Sequence, residues 1–198
     1  TGVDDDADTI DLGYQHGFVT GDVVRYGNPD ESSPIDGLQD GGLYYVRRIS
    51  PTAVRLARSS AEAEQTAPPF SPAAIDDVRG TLDLGYVHGF QTGDGVVYTA
   101  GGGNDAAGLV DGTTYYVIRV DGVTVKLART ATDAENGDAI SLDRRAHPGS
   151  GNAHRLRLAI DAGGLSGSEH VLGRVFSPAA AVGRGAETID LGQPHGFV

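Results

Sequence analysis

From residue 81 to residue 84 apolar and polar side chains alternate, the period-two signature of a half-buried strand. The turn residues Gly85, Gly89, Gly93 and Asp94 lead into a second predicted strand at 96–98, and a third is predicted over 113–120. Asp121-Gly122 reads as a type I′ hairpin turn, which needs positive φ at both central positions. Residues 123–128 then return antiparallel. Ser50-Pro51-Thr52 stands at the equivalent place upstream, with different turn chemistry. Residues 130–135 predict one helical turn, with Thr132 and Glu135 at capping-box spacing, and Ser59 and Glu62 offer the same spacing earlier. Such a turn is too short to stand alone, so it is expected to plug one end of the β structure.

The stretch 137–175 predicts a further hairpin: Ile140 and Leu142 on one arm, Leu156, Leu158 and Ile160 on the other, and the turn at 147–152. Residues 171–176 read as a connecting strand. Four or five core strands in each half imply an all-β fold, built as two small β-barrel or β-sandwich modules in tandem.

Two modules are expected because the chain repeats itself. TIDLGYQHGFVTGDVVRY, starting at Thr9, and TLDLGYVHGFQTGDGVVY, starting at Thr81, match at 13 of 18 positions, and a third copy begins at Thr188. Downstream, Gly37-Leu38-Gln39-Asp40-Gly41 answers Gly108-Leu109-Val110-Asp111-Gly112. Tyr44-Tyr45-Val46 answers Tyr115-Tyr116-Val117, and 54–58 answers 125–129. All eight tyrosines and five phenylalanines sit at repeated positions, so the aromatics are expected to build the modules, with no unique aromatic site left over. The copies are spaced by 72 and then 107 residues, so about 35 residues are extra in the second module. The resulting division is a linker at 1–8, a short β module at 9–70, a linker at 71–80, and a long β module at 81–175. A linker at 176–187 and the start of a next module at 188–198 follow, which suggests a longer array.

Composition narrows the function. The chain has 27 acidic against 15 basic residues, a net charge of −12, which argues against nucleic acid as a partner. No apolar run reaches the length of a membrane span, and residues 1–8 are too acidic for a signal peptide. Without cysteine there is neither a disulfide framework nor a thiolate site. The Asp-Gly and Gly-Asp pairs suit turns, where Asp bonds its own backbone and Gly supplies positive φ.

Candidate chemistry is sparse. His16, His88 and His195 share the motif Leu-Gly-x-x-His-Gly-Phe, and each is expected to be a turn histidine whose ring bonds backbone, since the copies do not converge. His147, His154 and His170 are expected at the surface. Asp4, Asp6 and Asp8 have the spacing that opens a calcium loop, although the sixth-position Gly and twelfth-position Glu are missing. With Asp5, Asp76 and Asp77 they form the candidate calcium set, read as stiffeners of module junctions against the alternative of a solvated acidic linker. Asp22, Asp40, Asp94 and Asp111 are explained by turn chemistry without an ion. Gly101–Gly103 lacks the Lys-Ser/Thr of a phosphate cradle, and Ser166 and Ser168 lack a nucleophile elbow. No enzymatic activity and no catalytic residue are expected.

The motif H-G-F-x-T-G-D-x-V-x-Y, then G-L-x-D-G-x-x-Y-Y-V, then V-x-L-A, covers His16–Tyr26, Gly37–Val46 and Val54–Ala57, and again His88–Tyr98, Gly108–Val117 and Val125–Ala128. It resembles a β module repeated in very large secreted bacterial proteins of the adhesin-like and hemolysin-type calcium-binding kinds. The resemblance implies export to the cell surface or matrix, and a spacer role in an adhesin stalk or filament. The expected partners are neighbouring copies, joined by strand addition through 188–191, and a glycan or cell surface. The alternative is a glycan-binding module.

Overall fold

The computed structural model describes residues 2–28, 35–160 and 171–174. The first repeat contributes β1 (Gly2–Asp4), β2 (Thr9–Asp11), β3 (Val23–Gly27), β4 (Leu43–Arg48), β5 (Ala53–Ala57) and the short helix α1 (Ser60–Ala63). A 3-10 turn at Pro72–Ala74 leads to β6 (Ile75–Asp76), β7 (Thr81–Asp83), β8 (Gly95–Thr99), β9 (Thr114–Arg119), β10 (Thr124–Ala128) and α2 (Ala131–Asn136). Two further strands follow, β11 (Arg155–Leu158) and β12 (Val171–Arg174).

These form two six-stranded antiparallel sheets, ordered β1-β2-β5-β4-β3-β12 and β11-β8-β9-β10-β7-β6. The alternation seen in the sequence is the alternation of burial. In β4 Tyr44 and Val46 point inward while Leu43 and Arg48 face water, and β9 repeats this with Tyr115 and Val117. The inward side chains of both sheets make one contiguous core, so the repeats share an interior. The lead-in residues are part of the sheets. Residues 1–8, read as a linker, contain β1 and the turn at 5–8, with Val3 opposite Ile10 just as Ile75 faces Leu82.

Three expectations need correction. The Asp121-Gly122 turn is not type I′, since neither residue has positive φ. Asp121 Oδ1 instead accepts from the Val123 and Thr124 N–H groups, and in the first repeat Ser50 Oγ accepts from Thr52 and Ala53. One side-chain oxygen closing two N–H groups replaces the glycine conformation. The cap of α2 is Thr130, whose Oγ1 accepts from the Asp133 N–H, and not Thr132.

The third correction concerns the extra segment, which forms no hairpin of its own: residues 139–142 are irregular, and β11 pairs with β8 instead. The reason lies in the glycine-rich loop of the second repeat. A Cβ on Gly103 would sit 1.9 Å from the Ser150 carbonyl, so only glycine lets the segment lie on that loop. With Ala107 N–H bonded to His147 O and Asn104 paired to Ser150, the backbone needs no second arm. Within the predicted connecting strand 171–176, residues 171–174 are β12, which adds to the edge of β3 where β11 adds to β8. The chain therefore returns to the first repeat after the second.

Candidate functional site

The recurring polar residues close local structure. His16 Nδ1 accepts from the Phe18 N–H at 3.0 Å and His88 Nδ1 from Phe90 at 3.0 Å, while Nε2 faces the carbonyls of Ser50 and Asp121. An acceptor Nδ1 and a donor Nε2 define one neutral tautomer, and burial holds the His88 imidazole below its ordinary pKa. The Tyr44 and Tyr115 hydroxyls accept from Gln39 and Val110, tying the G-L-x-D-G loop. Asp40 and Asp111 accept from the Asn28 and Ala100 N–H groups. Asp22 and Asp94 each accept an N–H of their own turn. Turn chemistry accounts for Asp22 and Asp94, while Asp40 and Asp111 reach N–H groups 12 and 11 residues upstream.

One of them does more. Asp94 meets Arg58 in a two-pronged pair at the junction between the repeats, Nε to Oδ2 at 2.9 Å and Nη2 to Oδ1 at 2.5 Å. The side chains are only 7% and 2% exposed, so the pair is desolvated. The Arg58 guanidinium lies 4.5 Å from the centre of the Tyr44 ring, a cation–π contact. Gly89, from the H-G-F motif, lets the Arg58 backbone approach. Next in the chain, Ser59 caps α1 by accepting the Glu62 N–H, and the Glu62 carboxylate accepts from Arg58 N and, across the junction, from Leu158 N at 2.7 Å.

The candidate calcium residues are drawn to separate places. Asp8 is buried at the junction, where it accepts from the Ile160 N–H at 3.1 Å and pairs with Arg157. It takes φ +49° where the second repeat has Gly80, and burial pushes its carboxyl up despite Arg157. Asp4 Oδ1 accepts the Ala7 N–H, and Asp6 is exposed in the same turn as Asp5. Asp76 binds the Val78 and Arg79 N–H groups and the Arg79 guanidinium, and these bonds, the Arg79 N–H first, hold its carboxyl below the usual range. Asp77 faces Arg144 and Arg145. Among the described residues no three carboxylate or imidazole side chains come together in a way that would hold a metal ion.

Of the histidines expected at the surface, His147 is exposed and His170 lies outside the described residues, as do His195, Ser166 and Ser168. His154 is a correction: it is fully buried, with Nδ1 2.7 Å from the Tyr98 hydroxyl and Nε2 3.0 Å from Ser150 O. It stacks between Phe70 and Tyr98, and its backbone bridges to Phe70. Tyr98 and Phe70 each sit at a repeated position, but no local pattern marks a histidine as the filler between them.

Glu62 makes the junction pH-sensitive. Burial pushes its carboxyl up to about 7, against two backbone N–H bonds that hold it down. A raised folded-state pKa means that this stabilisation is complete below the unfolded value near 4.5 and is lost as pH rises through about 7. In urea unfolding, Glu62→Gln is therefore expected to gain stability relative to wild type between pH 5 and pH 8. An unchanged difference across that range would refute the assignment.

The architecture defines an all-β, sandwich-like protein of two antiparallel sheets, joined by a buried Arg–Asp junction. No protein family, curated protein or solved structure matches the chain. Among the described residues, no helix is long and apolar enough to cross a membrane.

Proposed function

We propose that this chain is a structural repeat unit of an extracellular bacterial surface protein, an adhesin stalk or filament-building module whose repeats lock head to tail. The observation that carries this reading is the Arg58–Asp94 pair, because both members recur. Arg129 stands where Arg58 stands, is exposed, and makes no ion pair among the described residues. Asp22 stands where Asp94 stands and holds its turn through the Val19 N–H in the same way. Each repeat so carries the Arg on its trailing side and the Asp on its leading side. A contact between two different faces does not close as a symmetric dimer, and it extends as an open array wherever its rotation does not close a ring. Tyr14, 58% exposed on the leading repeat, answers Tyr86, which is half-buried at the junction.

In such an array stability comes from each unit and its neighbour interface, and the net charge of −12 keeps it soluble. Secretion to the cell surface or matrix follows from the resemblance. Strand addition through 188–191 concerns residues outside those described. Calcium as a stiffener would act at the exposed turn of Asp4, Asp5 and Asp6, because Asp8, Asp76 and Asp77 are held by arginines.

Electron microscopy of the native material and sedimentation of the purified chain, with and without EDTA, test the reading. Fibres with an axial repeat of one two-repeat unit are expected, shortened by Arg129→Glu and restored when Asp22→Arg is added. Loss in EDTA would assign the aspartates to calcium. A chain that stays monomeric at high concentration, with no fibre in the native material, would overturn the proposal.

A further inference from the structure

A cavity of about 410 Å³ opens beside the junction, within the size range of small-molecule sites. Four of the chain's fourteen arginines line it: Arg47 and Arg55 from β4 and β5, and Arg155 and Arg157 from β11. Arg47 and Arg55 are direct cross-strand partners. Like charges directly opposite one another destabilise a sheet. The second repeat avoids this, with Ile118 opposite Lys126 at the same register. Arg155 and Arg157 are two apart on one strand and so share a face.

Two carboxylates nearby offset the charge of the four arginines only in part. Arg157 is matched by Asp8, and Glu62, on the cavity wall, is committed to two backbone N–H groups. Arg55 and Arg155 donate to the Ala7 and Ala67 carbonyls, which are uncharged. Arg47 has no hydrogen-bond or ion-pair partner among the described residues. The Nε atoms of Arg55 and Arg157 are buried without acceptors. A chain of net charge −12 thus concentrates unmatched positive charge in one concave place. Apart from Gln65 and Thr99, the remaining wall is apolar and aromatic, including Leu156 and the half-buried Tyr86.

We propose that this cavity binds an organic oxyanion: a carboxylate or sulfate group on a compact body the size of one or two sugar rings. Guanidinium forks from both sheets hold the two oxygens, and Tyr86 and the apolar wall cover the ring. The site does not depend on array formation, since all its residues belong to one chain.

The test is calorimetric titration of the chain at low ionic strength with glucuronate, with glucose as the neutral analogue and inorganic sulfate as competitor. Glucuronate is expected to bind, glucose to bind at least tenfold more weakly, and sulfate to displace glucuronate. Arg47→Gln is expected to weaken glucuronate about tenfold, the loss of one charge-assisted hydrogen bond. The same variant should unfold at a temperature equal to or above that of wild type, because it removes a like-charge pair and breaks no bond. A purely structural Arg47 would do the reverse. Absence of glucuronate binding, equal binding of glucose, failure of sulfate to compete, or undiminished binding by Arg47→Gln would each overturn the proposal. Fibre formation would be unaffected by any of these outcomes.

Discussion

Arg58→Ala is expected to cost about 3–5 kcal/mol of folding stability, the scale for breaking a buried pair and leaving its partner's charge uncompensated. Asp94, 2% exposed in its side chain, would lose its guanidinium partner in a site that water does not reach. Its Oδ2 would keep one bond, to the Gln91 N–H, which does not replace the guanidinium. The cation–π contact with Tyr44 would go as well. Replacing both partners, as Arg58→Met with Asp94→Leu, is expected to recover most of the loss, because no unpaired charge is then buried. Arg129→Ala supplies the control: the same residue at the same place in the repeat, but exposed, is expected to stay within about 0.5 kcal/mol. Urea unfolding of the three variants gives the comparison. A loss at Arg58 no larger than at Arg129 would show that the junction pair does not hold the repeats together.

Gly89→Ala is expected to be nearly as damaging, for a different reason. Gly89 has φ +74°, and a Cβ there would lie 2.3 Å from the Arg58 carbonyl oxygen. Left-handed backbone costs a residue with a Cβ about 1–2 kcal/mol, and overpacking a fixed neighbour adds about 1–3 kcal/mol. Gly85→Ala separates the two contributions. Its φ is +70° and nothing lies within 4 Å of the added Cβ, so it carries the backbone cost alone. Thermal unfolding should place Gly89→Ala below Gly85→Ala, and both below wild type. Equal melting temperatures for the two variants would mean that the Arg58 backbone gives way, and that the junction is not tightly docked.

Much of this was legible in the residues. The strand positions follow from alternation, and the histidine role follows from a two-residue reach: an imidazole in H-G-F can bond the N–H of the Phe that follows it. Ser59 and Glu62 sit three apart and behave as a helix cap should. The Asp121-Gly122 turn was misread because Asp offers two ways to make a turn, one through φ and one through its carboxylate. The expected hairpin in the extra segment failed because an apolar alternation names a strand without naming its partner. β11 found the open edge of β8, and the other arm was left irregular.

The amino-acid sequence alone determined the repeat, the all-β class and those local hydrogen bonds that a motif residue makes within two or three positions, at His16, His88 and Ser59, because period-two burial and such short reaches recur with the motif. The tertiary structure decided which of many aspartates and arginines matter. Asp8 looked like a calcium ligand from its neighbours, yet its bond is to Ile160, 152 residues away. Arg58 and Arg129 are the same letter of the same motif, and only packing buries one and exposes the other. His154 has no motif at all and becomes core. The energy of a charge or an imidazole depends on its desolvation and its partner, and neither is set until distant segments meet.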